Sequence, residues 1–357
     1  MQTGLVERLT DLAIKGFLWA FRIAVVALVV VGSALTLASG KYTPETWVSL
    51  VEQGIILGSV YSLIALGYTM VYGILRLINF AHGEVFTAGA FGGYFVAAAL
   101  MSLGFLNQSA LASLLSVAIM IAVAAVVSVV VALLVERIAY RPLRNAPRLV
   151  PLISAIGASF FLQYAMRGFF GPGLYAYPTI AVLQERVPID FLSLRWEDVL
   201  VVASALSMMV GLMVYVQRTK MGTAIRAVSE DPATAALMGI DVNRVIVTTF
   251  AIGAALAGAA GVLYGFLFTQ IYYTSGIIIG LKAFTAAVLG GIGNIPGALL
   301  GGMFLGVIES VGPTLFFDGL GVPSPTQLKD VIAFTLLVLV LIFRPEGILG
   351  ERVSRRA

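Results

Sequence analysis

Ten apolar runs, most of them twenty or more residues long and nearly free of charge, limit what this chain can fold into more than any single motif does. They cover 17–38, 50–74, 84–106, 110–135, 150–170, 198–216, 245–268, 278–292, 295–317 and 330–344. A helix needs about 20 mainly apolar residues to cross a hydrocarbon core of about 30 Å. Composition agrees with this reading. Of 357 residues, 60% are apolar and only 11% charged, whereas soluble domains carry about 25% charged residues to cover a water-facing surface. Most of the outside of this molecule must therefore face lipid.

The expected fold is an all-α integral membrane protein of about ten transmembrane helices, with a range of eight to ten. The run 278–292 is short enough to be tilted, broken or re-entrant. A transmembrane barrel would show alternating segments of about ten residues, and these runs are continuous. The 38 glycines include the spacings Gly54/Gly58, Gly89/Gly93, Gly261/Gly265, Gly297/Gly301 and Gly302/Gly306. Small residues at such spacing let helices approach closely in lipid, where hydrophobicity adds little to helix association. No cysteine is present, and His82 is the single histidine. Disulfides, thiolate metal sites and a multi-histidine site within one chain are thereby excluded.

Loop charges predict the orientation. Segment 136–148 has four arginines against one glutamate, and 217–244 carries Arg218, Lys220, Arg226 and Arg244. The end of the chain adds Arg344, Arg352, Arg355 and Arg356, whereas 171–198 is dominated by Glu185, Asp190, Glu197 and Asp198. Lysine and arginine accumulate on the cytoplasmic side, so both termini are expected in the cytoplasm. These positives read as topology signals and not as a nucleic-acid surface. Residues 1–45 form an expected extension with one additional helix, 46–350 the main domain and 351–357 a cytoplasmic tail. Ala38, Ser39 and Gly40 could mark a signal-peptide cleavage point, but the apolar stretch before them is long for one.

Two stretches could carry function. In Asn79-Phe80-Ala81-His82-Gly83-Glu84, the ionisable groups stand near membrane depth, where they usually face a bundle interior or cavity. Gly83 would permit a backbone break there. Asn79, His82, Gly83 and Glu84 are thus candidates for a translocation path. Glu84 equally fits the first turn of a helix, favouring its dipole, with Asn79 capping a turn. The second stretch is Asp231-Pro232-Ala233-Thr234-Ala235-Ala236-Leu237-Met238-Gly239. Asp231 suits the N-cap, Pro232 the first helical position and Gly239 the position after the last. A short helix results, with an apolar stripe of Ala233, Ala236 and Leu237 that suits a groove on a partner protein or lipid headgroups. Lys282, in the short eighth run, is expected to snorkel to the outer headgroups. No phosphate-binding loop occurs: around Gly40-Lys41, Leu35 stands where the first glycine belongs and Tyr42 follows the lysine.

The stretch from Gly67-Tyr68-Thr69-Met70 to Ile78-Asn79-Phe80-Ala81-His82-Gly83-Glu84 resembles the signature of branched-chain amino acid ABC transporter permeases. Glu136-Arg137 with Tyr140-Arg141-Pro142-Leu143-Arg144, Arg226 through Gly239, and Ala286 through Ala298 match that family in order. The resemblance implies one subunit of a bacterial cytoplasmic-membrane importer. Its partners would be a second homologous permease, two ATP-binding subunits and an extracytoplasmic substrate-binding protein. ATP and magnesium would be bound by those partners, with no cofactor in this chain. It also implies that Arg226, Glu230, Asp231, Ala235, Ala236, Leu237 and Gly239 form the segment that touches an ATPase. With selectivity residing in the binding protein, the permease is expected to offer a weakly polar path with little buried charge. Urea or short amides are alternative substrates. A proton-coupled secondary transporter using Glu84 and His82, and an intramembrane serine protease pairing Ser159 with His82, are alternatives of other classes.

Overall fold

In the computed structural model, residues 2–144, 146–147, 149–189, 192–344 and 346–350 are described. The expected tail 351–357, Arg148 and Asp190 lie outside these residues. Twelve helices follow one another: α1 (Gln2–Ala38), α2 (Pro44–Leu75), α3 (His82–Ser102), α4 (Ala110–Val135), α5 (Leu149–Phe170), α6 (Trp196–Arg218), α7 (Lys220–Glu230), α8 (Pro232–Leu237), α9 (Val242–Phe268), α10 (Ser275–Gly290), α11 (Ile295–Phe317) and α12 (Lys329–Phe343). Among the described residues, nine helices are long and apolar enough to cross a membrane. The eighth apolar run becomes α10, whose 16 residues reach only about 24 Å at 1.5 Å per residue. The expectation of an all-α membrane protein with eight to ten spans therefore holds.

At the centre stands α2, which has 32 residues and is the most buried of the spans. Its packing explains the glycine spacing read in the sequence. A Cβ on Gly306 of α11 would lie 2.4 Å from both the Gly54 carbonyl oxygen and Gly58 Cα. One on Gly302 would lie 2.6 Å from Ser62 Cα, so the two backbones nearly touch. The Ser62 hydroxyl completes the contact by donating to the Leu299 carbonyl at 2.8 Å. On another side, α2 meets α9 where Gly67 faces Gly253. By contrast, α1 is mostly exposed and packs mainly on α11 and the turn after it, where Thr36 Oγ1 accepts the Gly319 N–H at 2.8 Å.

The links sort to two ends of the bundle. Arg76 donates to the Ser229 carbonyl at 3.0 Å and Arg144 to Asn243 Oδ1 at 2.6 Å, so 76–81, 141–144 and 219–243 share one end. At the other end, Tyr175–Ala176 pairs antiparallel with Gln270–Ile271, and Asn107 holds the Ala181 N–H at 2.9 Å. The two arginine-rich loops thus lie together, as their charge predicts. A π-helical turn, Glu136–Tyr140, closes α4. There Glu136 is buried and binds Arg141 at 3.0 Å and also Arg144.

The glycine contacts yield a test. Gly306→Val should force α2 from α11, because the atoms in its way are backbone; the yield of monodisperse protein in detergent is expected to fall several-fold. Gly211→Val on α6 meets nothing within 4 Å and should leave that yield unchanged.

Candidate intramembrane site and capped loop helix

The stretch 76–84 folds back into the bundle. Arg76 takes the left-handed conformation (φ 54°) and ends α2 with its N–H on the Tyr72 carbonyl. Residues 77–81 then run without regular helix until α3 begins at His82. Non-helical backbone at membrane depth is tolerated only where protein or a cavity surrounds it, and Asn79, Ala81, His82 and Glu84 are all buried. The break therefore lies at Arg76 and the five residues after it, not at Gly83. Gly83 is helical and serves contact instead: a Cβ there would lie 2.3 Å from the Gly276 carbonyl oxygen of α10.

The four candidate path residues come together but do different things. Asn79 does not cap a turn with its side chain; its Oδ1 accepts the Tyr140 hydroxyl at 2.8 Å, tying the fold-back to the end of α4. The His82 ring lies edge-on to Tyr68, centroids 4.8 Å apart. Its Nε2 stands 2.3 Å from where a Cβ on Gly67 would be, so the ring fills the notch that glycine leaves in α2. Glu84 occupies the first turn of α3, with Ser159 of α5 as an electrostatic neighbour and Oε2 lacking a hydrogen-bond partner. Ser159 lines a small cleft with Tyr68, Phe80 and Gly276. The hydroxyl is thus coupled to Glu84, while the His82 ring is turned into the notch at Gly67; this does not form the serine–histidine pair a protease would need.

Lys282 departs from expectation. It does not reach headgroups: it is 4% exposed and ion-paired to Glu309 of α11 at 2.5 Å and Asp330 of α12 at 2.6 Å. Buried charge is also less scarce than expected, since Glu84, Glu136, Glu197, Asp198, Lys282 and Glu309 are all buried. Sequence reading passed over Glu309, although a lone acid inside an apolar run marks an inward-facing position.

At the arginine-rich end, α8 is built as its residues predict. Asp231 Oδ1 accepts the N–H groups of Ala233 at 2.9 Å and Thr234 at 3.2 Å, and Gly239 follows with φ 83°. Hydrogen bonds from the Thr234 hydroxyl, then from the Thr234 and Ala233 N–H groups, hold the Asp231 carboxyl below its ordinary pKa. Ala235 is buried, whereas Ala236 is exposed and Leu237 and Met238 are 88% and 79% exposed. The apolar stripe thus faces outward, with Met238 joining it. Arg226 and Glu230 lie exposed on α7, a helix the sequence reading left as loop. Thr219 caps α7, and Gly222, Ile225 and Val228 turn inward. That i, i+3, i+6 stripe is the signal that would have found it.

The family of the branched-chain amino acid transport system, permease component, matches residues 50–341. The chain belongs to that family. The high-affinity branched-chain amino acid transport system permease protein BraD of Pseudomonas aeruginosa is 45% identical over 302 residues, 84% of this chain and 94% of BraD. LivH of Salmonella typhimurium, described by the same words, is 43% identical over 304 residues, again 84% of this chain and 94% of the relative. The probable branched-chain amino acid transport permease protein LivH of Methanocaldococcus jannaschii is 28% identical, covering 84% and 92%. This family member is a multi-pass membrane permease, one component of a transport system and not an enzyme.

The ion-paired core is testable. Lys282→Met strands two carboxylates and should cost about 3–5 kcal/mol, the usual penalty for breaking a buried pair. Lys282→Met with Glu309→Leu should recover much of it, read as thermal stability in detergent.

Proposed function

We propose that this chain is one membrane-spanning permease subunit of an ATP-driven importer of branched-chain amino acids in a bacterial cytoplasmic membrane. Residues 46–350 form the permease domain, and the peripheral helix α1 lies outside the path. The assembly holds a second homologous permease, two ATP-binding subunits that bind ATP and magnesium, and an extracytoplasmic binding protein. The arginine-rich end faces the cytoplasm, by the positive-inside rule.

One observation carries the reading: α8, capped at both ends, presents Leu237 and Met238 outward beside arginine-rich loops. A six-residue helix cannot bury that stripe alone, and a groove on an ATP-binding subunit would cover it. The helix is also wired to the path. Asp231 caps α8 and ends α7, Arg76 binds Ser229 of α7, and residues 77–81 connect Arg76 to His82. A displacement of α7 and α8 by the closing ATPases would therefore reach the fold-back at Asn79–Glu84 through one hydrogen bond and six residues of backbone. That coupling supports alternating access. The substrate class follows from the relatives, whose names specify branched-chain amino acids.

In the assembled complex, Leu237→Cys should cross-link to an ATP-binding subunit, and Leu237→Asp should abolish ATP-driven leucine uptake in proteoliposomes. Failure to cross-link in a complex that transports would refute the docking role. Uptake should persist with a protonophore present; its collapse would instead favour proton coupling through Glu84, whose Oε2 is buried without a partner.

A further inference from the structure

At the end of the bundle opposite α8, a cavity of about 480 Å³ opens between α2, α9, α11 and the start of α12. Its chemistry is that of an incompletely matched set of charges. Glu52 Oε2 accepts the Ser193 N–H at 3.2 Å, leaving Oε1 buried and unpartnered. Glu309, 3% exposed, holds Lys282 with Oε1, while Oε2 is buried with no partner in full hydrogen-bond geometry and the Tyr61 hydroxyl is its neighbour. Lys329 also lines the cavity, is exposed and makes no ion pair among the described residues. The remaining charges of the lining, Arg195 and Asp198, satisfy each other at 3.7 Å. Ile56, Leu57 and Phe268 supply an apolar wall.

A buried carboxylate oxygen without a donor is costly, and the two residues that carry them here line one cavity from different helices. The complement is a cation able to donate several hydrogen bonds. A metal ion would use neither Lys329 nor the apolar wall. A molecule that uses all three features has an ammonium group, a carboxylate close to it and an aliphatic body. We propose that this cavity is a binding station for a free aliphatic amino acid, with the α-ammonium at Glu52 and Glu309, the α-carboxylate at Lys329 and the side chain against Ile56, Leu57 and Phe268. This rests on the amino-acid permease reading and adds a recognition site to it. The open, exposed lysine side leaves the ligand a way out, as a transported substrate requires.

The chain has no cysteine, so Gln53→Cys at the cavity wall introduces its sole thiol. In the assembled complex in nanodiscs, millimolar leucine should slow maleimide labelling of that thiol several-fold. At equal concentration 4-methylpentanoate, which lacks the ammonium, and 3-methylbutylamine, which lacks the carboxylate, should protect far less. Adding Glu52→Gln should raise the half-protecting leucine concentration about tenfold, the usual loss of one charge-assisted hydrogen bond. Lys329→Gln should raise it similarly, and Lys329 makes no ion pair among the described residues whose loss would unfold the chain. Unchanged labelling in a preparation that takes up leucine with ATP would overturn the station while leaving the permease reading intact. Protection by 3-methylbutylamine or sodium equal to that by leucine would also overturn it, indicating a plain cation site. Absence of uptake of any amino acid by the complex would overturn the station and the permease reading together.

Discussion

Close approach of helix backbones around α2 is the contact on which the other features depend. In lipid there is no water to drive helices together, so their association rests on packing and on hydrogen bonds. Where Gly54 and Gly58 meet Gly302 and Gly306, any side chain would occupy the space of a neighbouring backbone. The same economy at Gly67 and Gly253 brings α2 against α9 and leaves the notch that the His82 ring fills. That notch in turn anchors the start of α3 inside the bundle. The irregular backbone of 77–81 survives there because helices enclose it.

The charges divide into two kinds against this frame. Those at Lys282, Glu309 and Asp330, and at Glu136 with Arg141 and Arg144, are matched by opposite charges from other turns or helices. A matched buried pair adds little net stability but is costly to break, so these clusters fix relative helix positions. The oxygens left over at Glu52, Glu84, Glu197 and Glu309 are a different matter. They mark where the fold keeps polar groups that its own packing does not use. Glu52 and Glu309 line one cavity at the end opposite α8, and Glu84 sits at the fold-back that α7 reaches through Arg76.

Local features were legible in the residues, and distant pairings were not. Asp231, Pro232 and Gly239 specify α8 because capping acts over three or four neighbouring residues. The short stripe of α7 was lost inside a loop read only for its charge. Gly83 suggested a hinge, since glycine permits unusual backbone, but its helical role is to admit α10. Lys282 suggested snorkelling because a long side chain near a helix end usually reaches water. Nothing near it in the sequence announces Glu309 and Asp330, which stand 27 and 48 residues away.

By itself, then, the sequence determined the solvent, the number of apolar runs, the clustering of arginine-rich loops and the capped helix. Each of these is an energy summed over contiguous residues: transfer of a 20-residue stretch into hydrocarbon, or satisfaction of a helix end by its nearest side chain. Tertiary structure alone decided which glycines touch, where the break before α3 falls, that Lys282 is paired, and which carboxylate oxygens remain unmatched. Those outcomes depend on which atoms of remote segments come within about 3 Å of one another, a geometry that only the packed bundle sets.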